Sequence, residues 1–394
     1  MNNKNIFVIN TGSASKKYAL YRGDKRMFFA HFETEGAGFI ATIDCGGSTR
    51  RVIPKNDFNN SLEYVLKELA GSALLTDPQK QISAIGFRIV APGDYFTKHR
   101  LIYDEYLKEL NDERDNAPLH IVPMLEELAE VRRLLKGIKI VGVSDSVFHA
   151  TLPVHAYTYA IQHDVAEKFG IRKFGYHGSS FASVTRKVEA MRGGMPARMI
   201  ICHLGSGSSI TAIKDGKSID TSMGFSPLEG VPMGTRVGDI DPGAVIRLGE
   251  SLKCGFEELE RSFYTQSGLL GISGKSNDVR DLLSLEAEGD ARARIALDVF
   301  VYRIQKYIGA YFAILGGLDL LVFSATLGER SPIIRERICR NLGALGIILN
   351  KDKNEAMSSR DGFIQKEEST VQVSVVMTDE MGEIALETRH ICEW

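Results

Sequence analysis

The sequence predicts an α/β protein in which one domain, a mixed sheet covered by helices, occurs twice with a cleft between the copies. Three observations lead to this prediction: the chain length, an internal repeat and the order of the predicted elements. The chain has 394 residues, which is more than one hydrophobic core usually serves. Two domains of roughly 150 to 200 residues each are therefore expected.

The internal repeat aligns residues 8–25 with residues 201–218 at a constant offset. The turn residues recur in the second copy: Gly12 matches Gly205, Ser13 matches Ser206, Ser15 matches Ser208 and Gly23 matches Gly216. Each copy predicts a strand, a tight G-S-x-S turn and a second strand that ends in a charged hairpin turn. One copy alone would be an ordinary β-hairpin. Two copies in register indicate a duplicated domain whose turns, rich in free backbone N–H groups, can hold phosphate from two sides.

The order of elements repeats as well. Apolar runs in the first half predict strands at 7–10, 18–21, 27–33 and 39–45, a helix at 59–71, a strand at 82–90, a helix at 120–137 and a strand at 139–146. Those in the second half predict a helix at 180–193, strands at 198–204, 208–214 and 218–222, a helix at 291–315 and a strand at 319–325.

Composition favours a small-molecule partner. The charged fraction is 25% and the net charge is -2, so the basic face that nucleic-acid or membrane-surface binding needs is not expected. Five cysteines without a C-x-x-C pair indicate neither a zinc site nor a disulfide framework, which suits a reducing cytoplasm. The apolar run at the N-terminus is too short for a signal peptide, and the longest apolar segment, 311–323, is interrupted by two glycines and Asp319.

A glycine-rich stretch at 222–245 contains one arginine, Arg236, with Asp239 and Asp241 shortly after it. Glycines let the backbone approach a ligand closely and adopt dihedral angles closed to other residues. A single cation in such a loop indicates an anionic guest. Either aspartate is expected to help hold the loop.

Polar residues at strand ends are further candidates. Arg88 ends a strand and can project into a cleft, although a surface cation is the alternative. Asp145 follows another strand, where a turn or helix-cap residue is the alternative. His177 lies between two glycines before a helix whose expected cap is Ser179 or Ser180.

An amide and a carboxylate indicate a magnesium corner. Asn10 ends the first strand, and Glu380 follows the last apolar run. Magnesium prefers oxygen ligands and retains several waters, so one carboxylate and one amide in outer contact are sufficient beside phosphate oxygens.

Taken together, these stretches resemble the acetate kinase family of acyl-phosphate-forming kinases. The resemblance covers essentially the whole chain in order, and its most distinctive stretch is SPLEGVPMGTRVGDIDPGA around Arg236. The other matching stretches are VINTGSASKKY, FRIV, APLH, VSDSVFH, GYHGSS, HLGSGSS, SATLGERSPIIRERI and TDEM.

The resemblance implies an actin-like fold of two ribonuclease-H-like domains that close over ATP and a short carboxylate such as acetate. It implies an acyl-site domain at 1–146 with the tail 381–394, and a nucleotide-binding domain at 147–380. It also implies Mg²⁺ or Mn²⁺ as cofactor, a cytoplasmic location and a homodimer.

The resemblance further implies a role for each matching residue. Arg88 and Arg236 would hold the carboxylate and the moving phosphoryl group, Asp145 would orient an arginine, and His177 would contact the phosphoryl group. Asn10 and Glu380 would organise the metal. The acyl group would lie against Val90, Leu119, Tyr176 and Pro227. The nucleotide would lie along His203, Leu204, Gly205, Ser206, Gly207, Asp278, Val279, Arg280, Thr326, Leu327, Gly328, Glu329 and Arg330.

Several positions depart from the family pattern. Histidine is replaced by Phe87 and Phe181, a histidine and paired glycines by Ala91, Pro92 and Gly93, glycine by Thr326, asparagine by Ser206 and phenylalanine by Tyr176. These departures leave open another donor such as pyrophosphate, and another acyl group such as propionate or butyrate. A non-catalytic nucleotide-binding relative and a sugar or polyol kinase are the remaining alternatives.

Overall fold

The computed structural model describes residues 4–12, 15–35, 38–72 and 74–394. The turn residues Ser13 and Ala14 of the first repeat lie outside them. The chain divides into two compact units. Unit 1 comprises residues 1–147 and 379–394, and unit 2 comprises residues 148–378.

Unit 1 contains one mixed sheet and flanking helices. Its strands are β1 (Asn5–Thr11), β2 (Ser15–Arg22), β3 (Lys25–Glu35), β4 (Gly38–Asp44), β5 (Ser48–Ile53), β6 (Ile82–Ile89), β7 (Arg100–Leu101) and β8 (Lys139–Ser144). Its first helices are α1 (Lys55–Asn59), α2 (Ser61–Gly71), α3 (Pro78–Gln81), α4 (Asp104–Asp112) and α5 (Pro118–Leu134). Within the described ranges the strand order is β5-β4-β3-β2-β1-β6-β8-β7.

Unit 2 contains the second mixed sheet. Its strands are β9 (Arg198–Leu204), β10 (Ser208–Lys214), β11 (Lys217–Thr221), β12 (Leu320–Ser324), β13 (Gly362–Phe363) and β14 (Gln372–Val375), in the order β11-β10-β9-β12-β14-β13. Its first helices are α6 (Val154–Tyr157), α7 (His163–Lys168), α8 (Gly178–Arg192), α9 (Pro242–Leu252), α10 (Phe256–Thr265) and α11 (Gly268–Ser273). The others are α12 (Val279–Ala287), α13 (Ala291–Leu315), α14 (Ala325–Arg330), α15 (Pro332–Cys339) and α16 (Lys351–Ala356).

The chain then returns to unit 1 as α17 (Glu380–Ile391). No helix in the described part of the chain is long and apolar enough to cross a membrane.

The two sheets share one topology, which confirms the duplication. The order β3-β2-β1-β6-β8 in unit 1 corresponds to β11-β10-β9-β12-β14 in unit 2. In each case the middle strand of the five, β1 or β9, pairs antiparallel with β2 or β10 and parallel with β6 or β12. β9 begins 193 residues after β1 begins and ends 193 residues after β1 ends, the same offset as the sequence repeat.

The central strands are buried on both faces because helices cover each sheet on two sides. Along β1, alternate side chains join different cores. Phe7 and Ile9 pack in the large core that includes α2 and α5 residues, whereas Ile6 and Val8 pack with residues of α17. β9 divides in the same way between the α13 side and the α8 side.

The parallel strands set the position of polar residues. β1, β6 and β8 run parallel in unit 1, and β9, β12 and β14 run parallel in unit 2. Each group therefore presents its carboxyl ends at one edge of its sheet. In open α/β sheets ligands bind at this edge.

The contact between α17 and β6 should be sensitive to one methyl group. A Cβ on Gly86 would lie 2.8 Å from Ile384 Cγ2 and 3.2 Å from Ile384 O and would overlap the Thr388 hydroxyl. Gly86→Ala should therefore lower the free energy of unfolding by about 1–3 kcal/mol. Urea titration followed by the fluorescence of Trp394, the single tryptophan, measures this.

The matched control is Gly71→Ala, because a Cβ there meets nothing within 4 Å. Its unfolding midpoint should stay at or slightly above that of the parent protein. Equal midpoints for the two variants would show that α17 does not pack tightly on β6.

Candidate active site

In unit 1, three candidate side chains meet where the parallel strands end. Asn10 lies near the end of β1, Arg88 near the end of β6, and Asp145 directly after β8. Asp145 N also donates to Ile89 O at 3.0 Å, which continues the pairing of β8 with β6 past its last residue. The topology thus brings together residues that are 57 and 78 positions apart in the sequence.

Arg88 and Asp145 form a forked ion pair. Arg88 Nη2 lies 2.5 Å from Asp145 Oδ2, and Arg88 Nε lies 3.1 Å from Oδ1 and 3.2 Å from Oδ2. The side chain of Asp145 is 1% exposed and that of Arg88 is 18% exposed. Such two-point pairing of a guanidinium with a carboxylate fixes its direction as well as its charge.

Asn10 connects this ion pair to the C-terminal helix. Its Oδ1 accepts from Arg88 Nη1 at 3.1 Å, and its Nδ2 donates to Glu380 Oε2 at 3.2 Å. Glu380 is the first residue of α17, and Asp379 caps that helix by accepting from Gly382 N at 2.9 Å. The amide of Asn10 therefore bridges a cation and an anion.

The charge of Arg88 is secured by its surroundings. Burial alone would lower its pKa, but the carboxylates of Asp145 and Glu380 outweigh burial and raise the pKa above the ordinary value. Arg88 is therefore a permanent cation whose orientation is fixed by its neighbours. Such a group can bind a carboxylate or a phosphoryl oxygen.

The oxygens of Asn10 and Glu380 suit magnesium in outer contact. Among the described residues, no group of three or more histidine, cysteine, aspartate or glutamate side chains could hold a metal by itself. One carboxylate and one amide fit an ion that keeps waters and binds phosphate oxygens. They do not fit a metal enclosed by protein ligands.

The two acyl-contact candidates of unit 1 lie on different elements. Val90 follows β6, and its backbone N lies 3.4 Å from Met124 Sδ of α5. Leu119 lies in the first turn of α5 and is 37% exposed. Two of the departures from the family pattern, Phe87 and Ala91, are fully buried in the unit 1 core.

In unit 2, His177 precedes α8 as its N-cap residue and has a left-handed conformation, with φ of 61°. The expectation that Ser179 or Ser180 caps this helix is wrong, because both lie inside its first turn. The hydroxyl of Ser180 instead lies 2.7 Å from His203 Nδ1 and accepts from Thr378 Oγ1 at 2.8 Å.

His177 is held from two sides. Its Nδ1 lies 2.9 Å from Ser209 Oγ of β10, and its ring stacks on that of His203 with centroids 4.2 Å apart. Since Nδ1 is occupied by the serine, Nε2 is the ring atom that faces the G-S-G-S turn. A Cβ on Gly207 would lie 3.2 Å from that Nε2.

The same glycine borders Arg236. A Cβ on Gly207 would lie 3.6 Å from Arg236 Nη1, so the turn, the imidazole and the guanidinium converge within unit 2. Arg236 Nη1 also donates to Pro227 O at 3.4 Å, and its guanidinium carbon lies 5.8 Å from the Tyr264 ring centroid.

The Arg236 loop is closed by Asp239. Asp239 Oδ1 accepts from Gly230 N, and Asp239 N donates to Gly230 O, both at 2.8 Å. Asp241 has a different role, because it caps α9 through Ala244 N at 2.9 Å. Of the two aspartates expected to hold the loop, Asp239 does so.

Gly268, which no sequence motif indicates, supports the same loop. It has φ of +60°, and a Cβ there would overlap Met233 O and lie 2.6 Å from Arg236 O. The signal in the sequence is weak, since Ser267-Gly268 reads as an ordinary turn before a helix.

The nucleotide candidates lie on three segments of unit 2. His203 and Leu204 end β9 and Gly205 to Gly207 follow it, and Thr326 to Arg330 lie in α14 after β12. These two segments start side by side because Ser324 pairs in register with His203. Asp278 caps α12 through Arg280 N at 2.8 Å and pairs with the Arg280 side chain, which is 87% exposed.

Buried polar groups fix α14. Glu329 Oε1 accepts from Thr378 N at 2.9 Å, and burial raises the pKa of the Glu329 carboxyl. Arg335 is fully buried and donates to Gly328 O at 2.8 Å and to Met357 O at 2.7 Å. The sequence does not indicate this role of Arg335, because an arginine between isoleucine and glutamate is typical of a surface cation.

The hydroxyl of Tyr176 is hydrogen-bonded to the backbone. Tyr176 OH donates to Phe225 O at 2.5 Å, and the residue is 1% exposed. The extra hydroxyl relative to the family's phenylalanine is therefore satisfied.

Behind Asp145, His99 gives unit 1 a pH dependence. His99 Nδ1 accepts from Ser144 N at 3.2 Å, its Nε2 lies 3.9 Å from Glu387 Oε2, and burial lowers its pKa. The unfolded chain takes up this proton near pH 6.5, whereas the folded protein resists it. Stability should therefore be complete above about pH 6.5 and fall as the pH drops below that value.

His99→Gln should reduce the stability lost between about pH 7.5 and about pH 5.5 by up to about 1 kcal/mol. Thermal unfolding at the two pH values measures it. The control His163→Gln removes a histidine whose side chain is 76% exposed and should leave the pH dependence unchanged. An identical loss in parent and His99→Gln protein would show that His99 does not resist protonation.

Comparison with known proteins identifies the family. The model of the Acetokinase family matches residues 5–386. Acetate kinase of Clostridium novyi is 39% identical over 395 residues, which cover 98% of each chain. Acetate kinase of Methanosarcina mazei is 38% identical over 396 residues, which cover 98% of this chain and 97% of its own.

Solved structures agree with this result. Porphyromonas gingivalis acetate kinase aligns with a TM-score of 0.88 at 34% identity, over 99% of this chain and 100% of its own. A propionate kinase from Francisella tularensis aligns with a TM-score of 0.90 at 33% identity, over 98% of this chain and 100% of its own. The two-domain actin-like fold that the sequence predicts is confirmed, and the chain belongs to the acetate kinase family.

Proposed function

We propose that this protein is a short-chain carboxylate kinase that converts ATP and acetate to ADP and acetyl phosphate. A carboxylate oxygen forms a bond to the γ-phosphorus as the bond from that phosphorus to the bridging oxygen of ADP breaks, in line and without a covalent enzyme intermediate. The observation that carries the proposal is Arg88, a permanent cation oriented by Asp145 and Asn10 at the carboxyl edge of the unit 1 sheet.

The residue inventory suits this reaction because the acceptor needs no general base. A carboxylate is already ionised near pH 7, unlike the hydroxyl that a sugar kinase must deprotonate. The remaining tasks are to bring two anions together and to stabilise the charge spread over the transferring phosphoryl oxygens. Arginine forks and a donating imidazole perform both.

We assign the acceptor to Arg88 and the transferring phosphoryl group to Arg236 and His177. Asp145 orients Arg88 through its two-point ion pair. His177 Nε2 and Arg236 Nη1 both border Gly207, which supports a shared phosphoryl oxygen as their partner. The acyl group is proposed to contact Val90, Leu119, Tyr176 and Pro227.

Asn10 and Glu380 would hold the magnesium ion or, in its place, manganese. When bound with ATP, the ion neutralises charge on the phosphate oxygens. ATP is proposed to bind along the three nucleotide segments of unit 2.

We also propose a cytoplasmic homodimer. The apolar side chains of Ile246, Leu252 and Phe256 are 65%, 58% and 92% exposed in unit 2. These three exposed apolar side chains lie within eleven residues of sequence, and exposed apolar patches mark protein interfaces. This surface is proposed to bind a second copy of the chain.

The proposed activity is tested by trapping acyl phosphate with hydroxylamine. Acetate, propionate, butyrate and glycerol serve as acceptors, and ATP and pyrophosphate as donors. We expect acyl hydroxamate from acetate with ATP and Mg²⁺, and none from glycerol. Acyl hydroxamate formed with pyrophosphate but not with ATP would show that the donor is not ATP. The exposed Thr326 and Ser206 would then be interpreted as part of a pyrophosphate site. No product with any carboxylate would favour a non-catalytic nucleotide-binding protein.

Arg236→Ala should lower kcat by about 10³-fold or more, because a guanidinium on the transferring phosphoryl group stabilises the transition state. The free energy of unfolding should change by less than about 1 kcal/mol, since a loop cation contributes little to the core. Arg236→Lys should recover only part of the activity, because it restores the charge but not the fork.

Arg247→Ala is the matched control, since that arginine on α9 has a side chain 78% exposed. Its kcat should equal that of the parent. If Arg236→Ala unfolded but kept its activity per folded molecule, the role assigned to Arg236 would be wrong.

A further inference from the structure

The segment 224–230 carries Pro227, whose ring is assigned to the acyl group and whose carbonyl accepts from Arg236. Neither group of Pro227 is held by regular secondary structure, because the segment lies between β11 and α9. What holds this segment therefore decides where both contacts lie.

Two side chains from elsewhere in unit 2, those of Tyr159 and Lys173, hold the segment through its own Glu229 and Phe225. Tyr159 OH donates to Glu229 Oε2 and accepts from Phe225 N at 2.9 Å. Lys173 Nζ donates to Glu229 Oε1 and to Thr221 O, both at 2.9 Å. Glu229 thus receives one bond on each carboxylate oxygen.

The start of the segment is tightly packed against Glu229 and Tyr159. A Cβ on Gly224 would overlap the Glu229 carboxylate and the Tyr159 hydroxyl. Gly224 O accepts from Phe174 N at 3.1 Å and from Gly175 N at 3.2 Å. The neighbouring Phe225 O accepts from Tyr176 OH. The first two carbonyl groups of the segment, those of Gly224 and Phe225, are therefore both hydrogen-bonded.

The far end is fastened separately. Gly230 and Asp239 exchange two hydrogen bonds at 2.8 Å, and Tyr307 OH donates to Asp239 Oδ2 at 2.8 Å. Pro227 therefore lies in a short span between two fixed ends.

The protonation states support these bonds. Burial, reinforced by the Glu229 carboxylate, raises the pKa of Tyr159, so its hydroxyl keeps the proton that it donates. The Lys173 side chain is 11% exposed and that of Glu229 is 31% exposed. An ion pair so shielded is screened little by salt and holds its geometry.

We propose that Tyr159, Lys173 and Glu229 are positioning residues that set the enzyme's discrimination among short carboxylates by fixing Phe225 to Pro227. This proposal rests on the proposed function. A wall that cannot move away penalises each added methylene, and one methylene in such a pocket is worth roughly 10- to 200-fold in selectivity. The three residues act through Pro227 and do not touch the reacting atoms.

A purely structural role makes a different prediction. If the cluster only stabilised unit 2, its loss would lower the folded fraction and reduce kcat/KM equally for every carboxylate. A positioning role changes the ratio of kcat/KM values between carboxylates, which does not depend on the folded fraction.

Tyr159→Phe tests the proposal, because it keeps the ring and removes the donor to Glu229 and the acceptor for Phe225 N. The measurement is kcat/KM for acetate, propionate and butyrate, with KM for ATP, on the full chain. We expect the ratio of kcat/KM for acetate to kcat/KM for propionate to fall by at least about threefold, because a looser wall penalises the added methylene less. KM for ATP should stay within about twofold of the parent value.

Tyr302→Phe is the matched control, because Tyr302 lies on α13 and is 60% exposed. Its acetate-to-propionate ratio of kcat/KM and its KM for ATP should equal those of the parent protein. Glu229→Gln provides a second test should Tyr159→Phe fold poorly, since glutamine keeps an acceptor for Tyr159 but loses the charge that pairs with Lys173. It should shift the ratio in the same direction.

An unchanged ratio in Tyr159→Phe and Glu229→Gln, with all carboxylates losing equally or not at all, would overturn the proposal. That outcome is distinct from failure of the proposed function, in which the parent protein itself makes no acyl phosphate. The parent assay is therefore run first.

Discussion

The geometry of the proposed active site in unit 1 depends on the buried ion pair between Arg88 and Asp145. Removing two charges from water is costly, and the cost is recovered only when geometry is good and the remaining donors are bonded. Here the carboxylate faces two guanidinium nitrogens, and Asn10 takes a third. The pair exists because β6 and β8 run parallel and end together, so the sheet topology is a condition for the chemistry.

Unit 2 uses the equivalent edge for a different task. Asn10 and His203 are each the residue before the last of their strand, β1 and β9, so they occupy matching positions of the repeat. In unit 1 that position links a cation to a carboxylate. In unit 2 it supports His177 by ring stacking beside the glycine turn. The duplicated domain thus provides two equivalent carboxyl edges. Asn10 at one and His203 at the other give these edges different hydrogen-bonding and packing roles.

The sequence predicts what depends on local pattern. Helix α13 is predicted at 291–315 and begins and ends at those residues, because its apolar spacing and its glycine C-cap are both local signals. The cap of α8 is predicted wrongly, because left-handed backbone at His177 is uncommon for a residue with a side chain. Glu229, Tyr159 and Gly268 are missed, because their partners lie far along the chain and no periodicity reports such contacts.

The central claim is that Arg88 acts as one unit with Asp145 on the carboxylate. The most direct test is a double-mutant cycle of kcat/KM for acetate with Arg88→Lys, Asp145→Asn and the double variant. We predict that the double variant loses no more than the worse single variant, while KM for ATP stays at the parent value. Losses that multiply, or a KM for ATP that rises in step with them, would contradict the account.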